Sequence, residues 1–396
     1  MLHRIIFIVF AYLFVIATTA QNANRSMKKL IDENMVFAAE QYKVLMQKVP
    51  PTVMPRSFDS SKGGLITSNT KWWTSGFYPG TLWMIYANTK DTAIRQQAEK
   101  RLAILEKEKH YTGNHDLGFM MFCSFGTAYD ITKNPAYKKV IFTAANSLAT
   151  RYRPSISVIQ SWDSSKNFKC PVIIDNMMNL ELLEWVVKNG GDKRLHEIAI
   201  NHANTTQKNH FRPDYSSFHV LDYDLKSGGV SRKVTHQGYA DESAWARGQV
   251  WGLYGYIVMY RFTKNKEYLT LANNIAGFLL NHPNLPVDKI PYWDFNAPNI
   301  PNALRDASAG SIMASALLEL AQYSKGGDKK RYVQTAETII RSLSSPAYRA
   351  PLGTNGGFLL RHSVGHLPAN SEIDVPLTYA DYYFIEALQR YKKWYL

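Results

Sequence analysis

One periodicity runs the length of this chain and limits what it can fold into. Apolar residues recur at helical spacing in segments 26–47, 76–88, 92–108, 117–131, 135–151, 176–188, 192–208, 242–263, 265–281, 308–324, 328–343 and 377–393. The twelve segments alternate in character. One set is rich in Gly, Trp, Ala and Met, as from Gly76 to Tyr86 and from Ala309 to Leu320. The other is charged and amphipathic, as from Asp91 to Lys107 and from Asp328 to Arg341. A helix apolar all round is surrounded by neighbours, and an amphipathic one covers it from outside. Six hairpins of one buried and one covering helix predict an all-α fold, an (α/α)6 barrel. Stretches 48–75, 152–175, 209–241, 282–307 and 344–376 are rich in Pro, Gly, Asn and aromatics. Loops this long are usually functional, so they predict a cleft at one end of the ring. A short strand is expected within Ser217 to Tyr223. No low-complexity linker divides the chain, which predicts a single catalytic domain over 21–396.

The first twenty residues have the pattern of a secretory signal. His3 and Arg4 precede an apolar run, Ile5 to Ala17, and Thr18-Thr19-Ala20 supplies small residues for cleavage. This predicts a periplasmic protein starting near Gln21. Because position 21 is not Cys, no lipoprotein anchor is expected there after cleavage. An oxidising compartment permits a disulfide between Cys123 and Cys170, the only cysteines, but their spacing does not decide it. Cys123, in the run MMFCSF, is expected to be a buried thiol. A formal charge of +14 favours an anionic partner. Nucleic acid, a membrane and an acidic polysaccharide all fit; the basic residues are scattered and no zinc-finger or RNA-binding signature is present, which makes nucleic acid the weaker option. A monomer and a homodimer are equally compatible with the sequence.

The richest chemistry lies in HQGYADESAWARGQVWG, residues 236–252. A helix starting near Asp241, with that carboxylate as cap, puts Trp245 and Gln249 on one face and Arg247 and Trp251 on another. Indoles stack on sugar rings and a guanidinium grips a carboxylate or sulfate. The same residues equally suit the core of a large helix. Trp72 and Trp73 precede another helix start, where Thr74 or Ser75 could cap, and Trp73 and Trp293 are candidates for stacking on a ligand. Asp116 in HDLGF and Asp175 in IIDNMMN each precede a helix of the buried type. Both positions suit N-caps. Both would also face the loop-bearing mouth, where a pair of carboxylates is the usual equipment for sugar chemistry, provided burial or proximity raises one pKa. His219 lies in a strand-like stretch shortly before His236 and Gln237. Asp306 and Ser308 suit caps, and Arg361, Ser363, His366 and Asn370 could meet an anionic group. The histidines lack metal-site spacing, and no phosphate loop or nucleophile elbow occurs, so neither metal nor cofactor is expected.

Taken in order, KWWTSGFYPG, HDLGF, IIDNMMN, SSFHV, HQGYADESAWARGQVWG, DASAG and VPLTYADYYF resemble the unsaturated glucuronyl hydrolases, glycoside hydrolase family 88. The resemblance covers most of the chain after the leader and implies the same barrel. It implies hydration of the C4=C5 double bond that polysaccharide lyases leave on a terminal uronic acid. By this likeness Asp175 is the general acid and base, and Asp116 tunes it and orients substrate. His219, Gln237, Trp245, Arg247 and Trp251 match positions lining the uronate subsite. The implied substrates are unsaturated glycosaminoglycan disaccharides of heparin or chondroitin type. Some relatives handle sulfate with a Ser-x-x-Ser-x-Lys pattern. Here the comparable stretch is Ser363-Val-Gly-His366-Leu-Pro368, which puts His366 and Arg361 forward instead. The rival readings are a pectin-directed unsaturated rhamnogalacturonyl hydrolase and a non-catalytic glycan-binding protein.

Overall fold

The computed structural model describes residues 26–396, and within them twelve α-helices follow the expected alternation. The leader expected over 1–20 lies outside the described residues. The helices are α1 (26–48), α2 (Phe77–Thr89), α3 (Thr92–Leu105), α4 (Thr127–Thr132), α5 (Pro135–Ala149), α6 (Leu180–Lys188), α7 (Arg194–His210), α8 (Ala246–Thr263), α9 (Lys266–Asn281), α10 (Ala307–Tyr323), α11 (Gly326–Leu343) and α12 (Thr378–Tyr395). A π-helical turn, Gly118–Gly126, leads into α4, and a 3-10 turn, Ile174–Asn179, leads into α6.

Six helical units form a closed inner ring. α2 packs on the π-turn of α4, that turn on α6, α6 on α8, α8 on α10, α10 on α12, and α12 on α2. Their composition explains the position. In α10 every residue from Ala307 to Ala321 is buried, and in α8 every residue from Ala246 to Met259. Small residues let the staves approach closely. A Cβ at Gly80 of α2 would strike the carbonyl of Cys123 and the ring of Tyr382. Outside the ring, α3, α5, α7, α9 and α11 each cover the inner unit next to them in sequence. They bury one face only, as their amphipathic pattern requires. Helix α1 covers α12, with Tyr42 Oη donating to Asp381 Oδ2 at 3.2 Å.

The long stretches carry the strands. β1 (Met54–Asp59) and β2 (Gly64–Ser68) form an antiparallel hairpin within 48–75. β3 (Tyr152–Arg153) pairs with β4 (Val158–Ile159). β5 (Pro171–Ile173), β6 (Val220–Tyr223) and β7 (Val230–Val234) form a three-stranded antiparallel sheet. This sheet encloses a small second core around Val158, Cys170, Val172 and Leu221. Both cysteines are free; Cys170 is in that core and Cys123 is partly buried.

Two expected helix starts differ. Helix α8 begins at Ala246 rather than near Asp241, whose carboxylate accepts instead from the Thr235 N–H at 2.8 Å. The chain is diverted because Trp245 forms a bridge to Asp294, and the Ala246 N–H is bonded to the Trp293 carbonyl. Neither Thr74 nor Ser75 caps α2; Gly76 occupies that position without a side-chain bond. Asp306 does cap α10, accepting from the Ser308 N–H at 3.0 Å. No helix of the described residues is long and apolar enough to cross a membrane.

Candidate active site

Loops gather at the N-terminal ends of the inner helices and enclose a cavity of about 380 Å³. Its lining includes Trp72 and Trp73 before α2, Asp116 before the π-turn, Asp175 in the turn before α6, Gln237, and the segment Gly365–Glu372. Loop 282–307 contributes no lining residue and lies behind the others. A second cavity, of about 360 Å³, lies toward the opposite end. Five of its charged residues are paired with one another: Arg261 with Glu181 and Glu319, Arg390 with Glu319 and Glu386, while Asp130 and Lys393 also line it. It offers paired charge rather than a reactive group.

The two aspartates share the upper cavity, and neither caps a helix. Burial raises the Asp175 carboxyl to about 7, opposed by the positive charge of Arg247. Burial, and then the charge of Asp175, raises Asp116 to about 8, with Arg151 opposing. Burial is the larger cause for both carboxyls, and their proximity adds to it. A pair of this kind keeps at least one proton at neutral pH. His115 Nε2 lies 3.3 Å from Asp116 Oδ1, and burial holds that imidazole down at about 3, so it stays neutral.

His219 sits beside the acid in a defined tautomer. Its Nδ1 accepts from the backbone N–H groups of His236 at 3.1 Å and Gln237 at 3.2 Å. An acceptor at Nδ1 leaves the proton on Nε2, and burial keeps the ring neutral. Nε2 then lies 3.8 Å from Asp175 Oδ2. Neither of these buried atoms has a hydrogen-bond partner among the described residues. The His219 ring is fixed from behind by the Trp245 indole, 4.4 Å away between centroids.

The helix-start cluster therefore shapes the site from beneath. Trp245 is buried under His219 and outside the cavity lining. Arg247, expected to meet the uronate, is fully buried and its bonds go to protein. Nη1 donates to Asp306 Oδ2 at 3.0 Å and to the Val364 carbonyl at 2.6 Å, and Nη2 to the Gly365 carbonyl at 2.7 Å. Gln237 Nε2 donates to the same Gly365 carbonyl at 2.9 Å. Gln249 accepts from the Ser217 N–H at 2.7 Å and anchors the segment that carries His219 into β6. Trp251 is 0% exposed and packed between Phe119 and Tyr383. Trp293 is 4% exposed and Ser363 is 0%, and neither lines the cavity. Arg361 spends a bond on the Pro346 carbonyl and also lies outside it. Of the sequence candidates, Asp116, Asp175, Trp73, Gln237 and His366 line the cavity directly, and His219 backs Asp175. His366 Nε2 donates to the His236 carbonyl at 2.8 Å.

Sequence reasoning missed Arg56, Trp162, Ser371 and Glu372, which also line the cavity. The Gly63-Gly64 pair after an alternating MPRSF run was a hairpin signal that would have brought Arg56 into view.

A ring of helical hairpins with two buried carboxyls that keep at least one proton between them at its loop-bearing end has the equipment of a glycoside hydrolase of the α/α-barrel class. Comparison with known proteins narrows the class. No family model matches the chain. An unsaturated glucuronyl hydrolase of Formosa agariphila is 47% identical over 338 residues, 85% of this chain and 84% of that protein. An unsaturated chondroitin disaccharide hydrolase of Streptococcus pyogenes is 33% identical over 83% of each chain. A crystal structure of an unsaturated glucuronyl hydrolase specific for heparin superposes with a TM-score of 0.89 at 44% identity, covering 92% of this chain and 97% of the other. The chain belongs to the unsaturated glucuronyl hydrolases, glycoside hydrolase family 88.

Proposed function

We propose that the enzyme removes the 4,5-unsaturated uronic acid from the non-reducing end of lyase-generated glycosaminoglycan disaccharides, with heparin-type substrates first among them. The observation that carries the reading is Asp175: a buried carboxyl near pKa 7, with an oxygen lacking any partner among the described residues, beside the neutral Asp116. The heparin preference is supported by the 44%-identical neighbour named as specific for heparin. In this reaction Asp175 gives its proton to C4 of the vinyl ether, and the positive charge develops at C5 and the ring oxygen. The resulting carboxylate takes a proton from water as the water oxygen bonds to C5. The hemiketal opens to a C5 ketone, which leaves C1 as a hemiacetal that expels the next sugar. Asp116 keeps its proton at neutral pH and offers it as a hydrogen-bond donor to substrate. Residues 1–20 carry the further proposal that the enzyme is exported to the periplasm.

The test is the ultraviolet band of the conjugated C4=C5 uronate. On a panel of unsaturated heparin, chondroitin and hyaluronan disaccharides the band is expected to disappear, fastest with heparin type. A band that persists on every one of them, yet is lost on unsaturated pectin fragments, would move the enzyme to rhamnogalacturonan.

The pH profile follows from the same carboxyl. Its pKa is raised, so the protonated, active form persists to neutrality and is lost as pH rises through about 7. kcat/KM is expected to hold between pH 5 and 6.5 and to fall about tenfold per unit well above 7. An alkaline limb centred near 4, the range of an ordinary carboxyl, would show that Asp175 is not the acid.

A further inference from the structure

The cleft is proposed to take an anionic sugar, yet its lining is poor in permanent positive charge. Besides Tyr379, the titratable groups lining it are Arg56, His115, Asp116, Asp175, His236, His366 and Glu372. Burial pushes all three imidazoles toward the neutral form. Among the described residues of the lining, Arg56 alone is permanently cationic.

Arg56 is held in a defined pose. Its guanidinium lies over the Trp72 indole, 4.1 Å from the ring centroid, and its Nε donates to Glu372 Oε1 at 2.6 Å. Both Nη atoms are left without a hydrogen-bond partner among the described residues. Glu372 has a left-handed backbone, φ 55°, on the segment that Arg247 pins through Val364 and Gly365. The result is a pre-oriented fork of N–H donors, the geometry that suits a tetrahedral or planar oxyanion. Its depth indicates which oxyanion. Trp72 is 37% exposed and marks the rim, whereas Asp175 and Asp116 lie deep. A terminal uronic acid reaching Asp175 leaves the second sugar at the rim.

We infer that Arg56, fixed by Trp72 and Glu372, forms a subsite for the second sugar and binds a sulfo group on it. The inference rests on the proposed reaction and assigns the recognition of sulfate to the β1–β2 hairpin rather than to segment 363–368. Glu372 neutralises the guanidinium charge before substrate arrives, so the selection is made by hydrogen-bond geometry.

The test compares unsaturated heparin-type disaccharides with and without sulfate on the second sugar. In Arg56→Gln the sulfated-to-unsulfated preference in kcat/KM is expected to fall about ten- to a hundredfold, the range for a charge-assisted fork. Arg56→Lys should restore only part of it, since a point charge lacks the fork. An equal loss on both substrates would mean that Arg56 holds the uronate carboxylate, and no loss on either would remove it from recognition. Both results overturn the inference. Should Arg56→Gln fail to fold, Trp72→Leu keeps the cation, releases its plane, and should erode the same preference. Calorimetric binding of the two disaccharides to Asp175→Asn, with and without Arg56→Gln, reads the subsite without turnover. If the wild type consumes none of the substrates, the proposed reaction fails while calorimetry still decides the role of Arg56.

Discussion

Asp175→Asn is expected to lower kcat for loss of the unsaturated uronate band by about a thousandfold or more, with substrate binding largely kept. A general acid contributes roughly 10²–10⁴ in rate, and here the same group must also accept a proton from water. The amide has nearly the same shape but cannot supply the proton. A second readout separates catalytic loss from damage to the fold. A carboxyl whose pKa is raised from 3.8 to about 7 stabilises the folded state fully only below its unfolded value, and that contribution is lost as pH rises through 7. The asparagine variant carries no such loss. It should therefore be more stable than wild type at pH 8, by on the order of 2–4 kcal/mol, and lose that advantage near pH 4. Urea denaturation at the two pH values checks this. A variant less stable at both would point to a structural role for Asp175.

Arg247→Ala carries the largest expected cost in stability, about 3–5 kcal/mol. Arg247 and Asp306 form an ion pair in which both side chains are 0% exposed. Truncating the arginine leaves Asp306 without its cation in the interior, frees the Val364 carbonyl from its donor and leaves the Gly365 carbonyl with Gln237 alone. Activity should fall together with stability, because Gln237 and His366 are placed by that segment. In the double variant Arg247→Ala/Asp306→Ala the loss should be clearly smaller than the sum of the two single losses, since no orphan charge remains. Additive losses in urea titrations would show that the pair is not coupled.

The barrel was legible because its twelve helices differ in pattern according to layer, and that pattern follows from burial alone. Boundaries were legible where a side chain sets them, as at Asp306, and illegible where tertiary pairing does, as at Trp245. Asp116 and Asp175 could be found because each precedes an inner stave. Their neutral state could not, since it depends on burial that only the assembled loops create. Arg247, Trp245 and Trp251 have the residue types of a sugar site and the locations of a foundation. Sequence reports chemistry but not depth, so residues beneath the cleft and residues in it read alike. Arg56 was missed for the converse reason. Its partners are Trp72 and Glu372, the second of them 316 positions away, and nothing local announces either contact.

The pairing of α1 with α12 also bears on how the ring is assembled. Bonds such as Tyr42 to Asp381 and Lys392 to Asp32 join residues more than 300 positions apart. Until α12 is in place, α2 and α10 each expose a flank made to be covered, and α1 lacks its bond to Asp381. Five hairpins held by local contacts can form early at little loop-closure cost, whereas closing the circle joins distant segments in one late step. An incomplete ring is a curved, sticky sheet of helices with two apolar edges. Synthesis and folding are thus tied together, and the enzyme gains both its cleft and its solubility when the last stave locks.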